Sequence, residues 1–112
     1  TDPKHLISTE IKQDYILDVD FELFTLVIKN LLDNGLKYSI DKHITVVIDD
    51  HRLEIINRGE SLIEPLENYF KPFHTSKKGL GLGLYIVKSI LDIHQMELEY
   101  QHEDRKNIFT VV

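Results

Sequence analysis

Asn30-Leu31-Leu32-Asp33-Asn34-Gly35-Leu36-Lys37-Tyr38-Ser39 closes an apolar, helix-periodic run that begins near Phe21. Two amides, a glycine and a lysine interrupt a segment that could otherwise be all leucine. Asn is a poor helix former, and Gly in a helix interior costs about 1 kcal/mol relative to Ala. Helix stability does not account for these residues; contact with a ligand does. On a helix, Asn30, Asn34 and Lys37 stand at i, i+4 and i+7 and share one face. Two neutral oxygen ligands and one cation on one face suit a magnesium-bound phosphate chain. Upstream, Asp20 is a good N-cap for a helix over Phe21 to Tyr38, with Phe24, Val27, Ile28, Leu31 and Leu32 on its buried side.

The rest of the chain supplies strands and a second helix. Lys4 to Ile11 alternates weakly, as an edge strand does, and Tyr15 to Val19 is a second strand candidate. Ile44 to Ile48 and Leu53 to Ile56 are β-branched runs around Asp49-Asp50-His51 and read as a hairpin, with Asn57-Arg58-Gly59 ending its second strand. Ser61 to Asn68 is a candidate short helix, which Pro65 argues against. Tyr69 to Gly83 reads as a loop. Leu82 to His94 is the last helix, with Ile86, Ile90 and Ile93 inward. Glu97 to Gln101 and Asn107 to Val112 form a strand pair across the turn Glu103-Asp104-Arg105-Lys106. Helices interleaved with antiparallel strands predict an α+β two-layer sandwich, a mixed and mostly antiparallel sheet packed on about three helices.

Composition narrows the function. The 112 residues carry a formal net charge of −6 and no cysteine. That length is one domain with a real core. The acidic balance argues against nucleic acid or an anionic membrane surface as partner. The missing cysteines exclude disulfides and thiolate metal sites and fit a reducing cytosol. No run approaches the roughly 18 apolar residues of a spanning helix. A start at Thr1 rather than Met is what a fragment of a longer protein would show.

A second stretch, Lys77-Lys78-Gly79-Leu80-Gly81-Leu82-Gly83-Leu84, runs straight into the last helix. Glycines admit a ligand close to the backbone, a helix N-terminus offers unpaired N–H groups, and the lysines add positive charge; together they describe a phosphate cradle. It is no Walker A loop, since no Gly-Lys-Ser/Thr closes it, and no Rossmann fingerprint, since a lysine-rich loop precedes it. A flexible hinge with a helix cap is the structural alternative.

With both stretches in view, the chain resembles the ATP-binding catalytic domain of bacterial sensor histidine kinases, in the GHKL superfamily (Bergerat fold) that also holds gyrase ATPase subunits and MutL proteins. Asn30 to Ser39 is similar to the asparagine box and Gly79 to Leu84 to the second glycine box. Asn57-Arg58-Gly59-Glu60-Ser61 falls where the first glycine box belongs, and Phe70-Lys71-Pro72-Phe73 resembles the phenylalanine box. The likeness runs from about Asp18 to Val112, within a single catalytic domain taken as 1–112.

The resemblance implies ATP and Mg2+ as ligands. It places Asn30 and Asn34 at the metal and phosphates, Lys37 on a phosphate, and Tyr38 against the adenine or ribose. Asn57 would accept from the adenine amino group, with Gly59 letting the backbone pass close to the base. Phe70 and Phe73 would anchor one end of a short lid. Thr75, Ser76 and Lys77 resemble the Thr-Thr-Lys of short-lid kinases and count among the ATP-binding residues, the lysine approaching the terminal phosphate, and Gly79, Leu80, Gly81, Leu82 and Gly83 would cradle the phosphates at the other end. Structural alternatives stand beside these: Asn30 as a hydrogen-bonded structural amide, Tyr38 as core at a helix end, Phe70 and Phe73 as core plugs, and Lys71, Lys77 and Lys78 as solvated lysines.

Several positions depart from the family. Asn57 replaces the usual Asp and is a neutral acceptor, about half as strong as an ionised one. Ser61 replaces a glycine, and Gly35 stands where alanine is usual. Asn30 occupies the position at which gyrase-like ATPases carry a water-activating Glu, and an amide cannot act as a base at neutral pH. The resemblance therefore implies phosphoryl transfer to a histidine on a dimerisation and phosphoacceptor domain, then to the receiver domain of a response regulator. The parent protein would be a membrane-anchored dimer with this domain in the cytoplasm. A partner-switching serine kinase and a degenerate ATP-sensing or docking module are the alternatives. Of the six histidines, only His102 is followed by Glu, without the proline of a phosphoacceptor motif; all six are expected at the surface or in turns, with the phosphoacceptor outside this chain.

Overall fold

A computed structural model describes residues 7–72 and 82–112. Five strands form one sheet: β1 (Ile7–Gln13), β2 (Ile44–Asp49), β3 (Arg52–Arg58), β4 (Leu98–Glu103) and β5 (Lys106–Val111), in the order β1-β2-β3-β5-β4. The β1–β2 pair is parallel and the other three pairs are antiparallel. Two α-helices, α1 (Phe21–Tyr38) and α2 (Gly83–Ile93), pack on one another, and a 3-10 turn at Leu66–Phe70 packs against α2. This is the expected two-layer sandwich, with two α-helices and a 3-10 turn in place of about three helices. Pro65 explains the difference: the short helix expected at 61–68 begins only after it.

Helix α1 starts as its sequence dictates. The Asp20 carboxylate accepts the Leu23 N–H at 2.9 Å. The Asp20 N–H in turn donates to His94 Nε2 at the end of α2, whose Nδ1–H donates to the Ile90 carbonyl. His94, in the turn that closes α2 as expected, is thus a half-buried strut between the two helices. Replacing Asp20 by Ala is expected to lower stability by about 1 kcal/mol, the usual cost of an N-cap; a urea titration followed by circular dichroism checks it.

Tyr15 to Val19 forms no strand. Those residues carry the chain from β1, at the sheet edge, up to the N-cap of α1, and Tyr15 stacks on the His51 ring. Partial burial there raises the Tyr15 phenol above its ordinary value. β1 runs on to Gln13, past the expected end at Ile11, and its described residues are exposed, as those of an edge strand are.

Both hairpins turn through two residues at positive φ, Asp50 and His51 in one, Asp104 and Arg105 in the other. Two successive left-handed residues match the twist of the flanking strands. After α1, the Ser39 hydroxyl donates to Asp41 Oδ1, which also accepts the His43 N–H. The hydroxyl contact, before the others, holds the Asp41 carboxyl below its usual range.

The core lies between sheet and helices: Val27 and Leu31 of α1, Leu84, Val87, Ile90 and Leu91 of α2, and Ile44, Leu53, Ile55, Phe109 and Val111 of the sheet. Ile93, expected inward, is 69% exposed, because the buried stripe of α2 runs through Leu84, Val87, Ile90 and Leu91. Gly35 is buried where α1 presses closest to the sheet. A Cβ there would stand 3.1 Å from Ile44 Cδ1, so the glycine that weakens the helix also lets it approach β2.

Candidate functional site

Strand register builds the site. Directly paired residues share a face, so the helix-facing side of the sheet reads as rows across the strands. One row is Ile48, Leu53, Val111 and Leu98; the next is Val46, Ile55, Phe109 and Tyr100. The third runs Ile44, Asn57, Asn107 and His102. The core therefore turns polar at one end of the sheet, beneath the C-terminal end of α1. Asn57 and Asn107, paired across β3 and β5, are each 2% exposed.

The two buried asparagines differ in their partners. Asn107 Oδ1 accepts from the Tyr100 hydroxyl, and its Nδ2 donates to the Glu60 carbonyl. The Tyr100 oxygen accepts the Leu62 N–H. Burial raises the Tyr100 phenol above its ordinary value, with the Leu62 amide pulling the other way. Gly59 is held from both sides by the β4–β5 hairpin: its N–H donates to the Arg105 carbonyl, and its carbonyl accepts from His102 Nε2. Asn57, by contrast, has no partner for either Oδ1 or Nδ2 among the described residues. A buried, unpaired amide costs free energy unless something else pairs with it.

On the helix side, Asn30 Nδ2 donates to the Leu26 carbonyl of its own helix. Its Oδ1 faces α2, 3.5 Å from where a Cβ on Gly83 would stand. Asn34, one turn on, is half-buried with Nδ2 unpartnered. Leu82, at the N-cap of α2, supplies no side-chain cap. Asn30 Oδ1 therefore points towards a helix start that no described side chain caps, a place that favours anions. Lys37 Nζ lies 5.2 Å from the centre of the Tyr38 ring. Lys37 and Tyr38 form one wall of a cavity of about 1120 Å³, with the loop Gly59 to Ile63, Tyr69, His102 and Arg105 opposite. A smaller groove of about 550 Å³ on another side of α1, around Phe24, Ile28 and Leu32, is almost wholly apolar.

The structure thus gathers Lys37, Tyr38 and Gly59 around one cavity, with Asn57 directly behind Gly59, and sets Asn30, Leu82 and Gly83 together where α1 meets α2. Phe73, Thr75, Ser76, Lys77, Gly79, Leu80 and Gly81 lie outside the described residues. Phe70 is half-buried against the core with Lys88 over its ring, and Lys71 is exposed. Sequence reasoning missed Tyr100, His102 and Asn107. His102 is exposed, in keeping with the expected surface position, and its ring also holds the Gly59 carbonyl. The available signal was Asn107, an amide opening an otherwise apolar strand in register with Asn57.

Among the described residues no three His, Cys, Asp or Glu side chains converge on a metal position. Neutral amide oxygens such as Asn30 Oδ1 hold magnesium only alongside anionic oxygens, which a bound triphosphate brings. The donor set therefore fits a metal that arrives with phosphates.

An α+β sandwich with its helices on one face of the sheet, and Asn30 of the first long helix beside the start of the second, has the architecture of the Bergerat-type ATP-binding domains. The chain belongs to the histidine kinase-, DNA gyrase B- and HSP90-like ATPase family, whose model matches residues 19–112. It is 34% identical over 114 residues to the sensor histidine kinase ArsS of Helicobacter pylori, covering 97% of this chain and 26% of that protein. It is 40% identical over 88 residues to the sensor histidine protein kinase HK06 of Streptococcus pneumoniae, covering 68% of this chain and 20% of that one. The chain spans about a quarter or less of the curated relatives it matches. In structure it is similar to the catalytic domain of histidine kinase ThkA in a nucleotide-free form, with a TM-score of 0.79 and 24% identity over 98% of this chain and 80% of that one. It also superposes on full-length ShkA in complex with AMPPNP, with a TM-score of 0.75 and 20% identity over 94% of this chain and 24% of that one. At these identities the structural likenesses speak for the fold.

Proposed function

We propose that this domain binds Mg·ATP and donates the γ-phosphate to a histidine on a separate dimerisation domain, within a sensor kinase that signals to a response regulator. The observation that carries the reading is Asn30 Oδ1 beside the start of α2, which no described side chain caps, with the unpartnered Nδ2 of half-buried Asn34 one turn further along α1. The sensor-kinase relatives support the choice of acceptor.

Each group has a task in that chemistry. Asn30 and Asn34 would hold magnesium together with the phosphate oxygens, and the metal supplies neutralisation of charge on those oxygens. The α2 N-terminus would orient the phosphates through its N–H groups, and Lys37 would add a cation from the end of α1. Tyr38 and Gly59 wall the base. In transfer, the bond from the γ-phosphorus to the bridging oxygen breaks, a bond from an imidazole nitrogen to phosphorus forms, and ADP leaves. Such transfer rests on positioning and charge stabilisation rather than a strong base. Asn30 has no basic atom, and its NH2 group is already committed to the Leu26 carbonyl. An imidazole needs no deprotonation to attack, whereas water would, so the site suits a histidine acceptor better than hydrolysis. No described helix is long and apolar enough to cross a membrane; we place any anchor in other parts of the parent protein, with this domain on the cytoplasmic side.

Isothermal titration with ATP and magnesium tests the first step. Saturable heat is expected, and none at millimolar ATP would end the reading. Mixing the domain with its own dimerisation helices and labelled ATP tests the second. Acid-labile, alkali-stable label is expected; acid-stable label would point to serine.

A further inference from the structure

We propose that Asn57 makes the base end of this site accept a 6-oxopurine as well as adenine, so that nucleotide selection is broad. The inference rests on the nucleotide-binding reading above and adds to it a property of this chain's own residue.

The argument starts from two amides in one row of the sheet. Asn107 is locked, because Tyr100 donates to its oxygen and the Glu60 carbonyl takes its nitrogen. Asn57, its direct neighbour in register, is equally buried, and neither its oxygen nor its nitrogen has a partner among the described residues. No such contact decides which way its amide faces. Asn57 lies just behind the cavity wall: its Nδ2 stands 3.2 Å from where a Cβ on Gly59 would be, and Gly59 lines the wall.

A side-chain amide carries an acceptor and a donor side by side. Adenine presents the complementary edge, an amino donor at C6 next to the N1 acceptor. Hypoxanthine and guanine present the reverse, an O6 acceptor next to the N1–H donor. An unlocked amide meets either edge by a half-turn about its last side-chain torsion. A carboxylate has acceptors alone; with the base held so that its C6 substituent meets the side chain, it takes the adenine amino group but sets O6 against a negative charge. The exchange of Asp for Asn thus removes a rejection of O6 more than it weakens the grip on adenine. A buried group left unpaired weakens binding by about 5- to 150-fold, and Asn57 escapes that penalty with both classes of base.

The test is equilibrium titration of this chain, with magnesium, by ATP and by inosine triphosphate, which carries O6 without the 2-amino group of guanine. The expected result is an inosine triphosphate affinity within about fivefold of that for ATP, below the range of one unpaired group. Asn57→Asp is expected to keep ATP binding and to widen the ratio by at least about tenfold. ATP binding with inosine triphosphate more than about fivefold weaker overturns this proposal and leaves the nucleotide reading standing. A ratio unmoved by Asn57→Asp also overturns it. Absence of ATP binding overturns both. Should Asn57→Asp fail to fold, the wild-type ratio alone decides.

Discussion

Asn34→Ala is expected to abolish phosphate labelling of the dimerisation domain while leaving the fold intact or slightly more stable. The usual risk with a half-buried polar residue is that its removal breaks a hydrogen bond. Asn34 Nδ2 has none among the described residues, so that donor loses nothing. Alanine is the better helix former by a few tenths of a kcal/mol, and an unpaired polar atom is removed from the interior. Structure and function therefore move in opposite directions at this position. The two readouts are labelling with dimerisation helices present and the thermal midpoint of the domain alone. Loss of labelling with an unchanged or higher midpoint is the expected pair. A midpoint lowered by several degrees would make Asn34 a structural residue; persistent labelling at the wild-type rate would place the magnesium ligand elsewhere. Asn107→Ala is the informative contrast, since both ends of that amide are paired and its loss would release Glu60 and Tyr100.

What could be read in the sequence follows from which interactions are local. Helix α1 was legible from Asp20 to Tyr38 because an N-cap and an apolar stripe are written in consecutive residues. The candidate ligand residues Asn30, Asn34 and Lys37 could be placed on it for the same reason: all three lie within one helix. Both hairpins were visible from β-branched runs bounded by polar turns. Tyr15 to Val19 misled because a short apolar run carries no sign of whether a sheet edge is free to receive it. Ile93 misled because the apolar residues of α2 are more numerous than its buried stripe needs, and only the packing partner selects among them. The base end of the site was the least legible. Asn57 was noticed as a departure, but its contrast with Asn107 arises from pairing across β3 and β5, fifty positions apart. The roles of Tyr100 and His102 arise from the same register and have no local signature.

Gly59→Ala is expected to damage both stability and nucleotide binding, and the reason is steric rather than conformational. The backbone of residue 59 does not lie in the left-handed region, so alanine is not excluded by its φ. A Cβ there would instead stand 2.5 Å from the Tyr38 carbonyl oxygen and 3.2 Å from Asn57 Nδ2. The first obstacle is backbone at the end of α1 and cannot rotate aside. Gly59 itself cannot retreat easily, because the Arg105 carbonyl holds its N–H and His102 holds its carbonyl. Relief has to come from displacing the end of α1, where Lys37 and Tyr38 wall the cavity, or from tearing the loop off the β4–β5 hairpin. Overpacking of this kind costs about 1–3 kcal/mol, or roughly 4–8 °C of thermal midpoint per kcal/mol for a domain near this size. Either relief moves a wall of the cavity, so ATP affinity should fall at least about tenfold, the equivalent of 1.4 kcal/mol. Differential scanning fluorimetry with and without Mg·ATP reads both effects in one experiment: a lower midpoint without ligand, and a smaller upward shift when ligand is added. A variant with a wild-type midpoint and a wild-type shift would mean that the approach of Gly59 to Tyr38 is looser than 2.5 Å implies. A lowered midpoint with the full ligand shift retained would separate the glycine from the nucleotide, leaving it as a contact between β3 and α1 that happens to border the cavity.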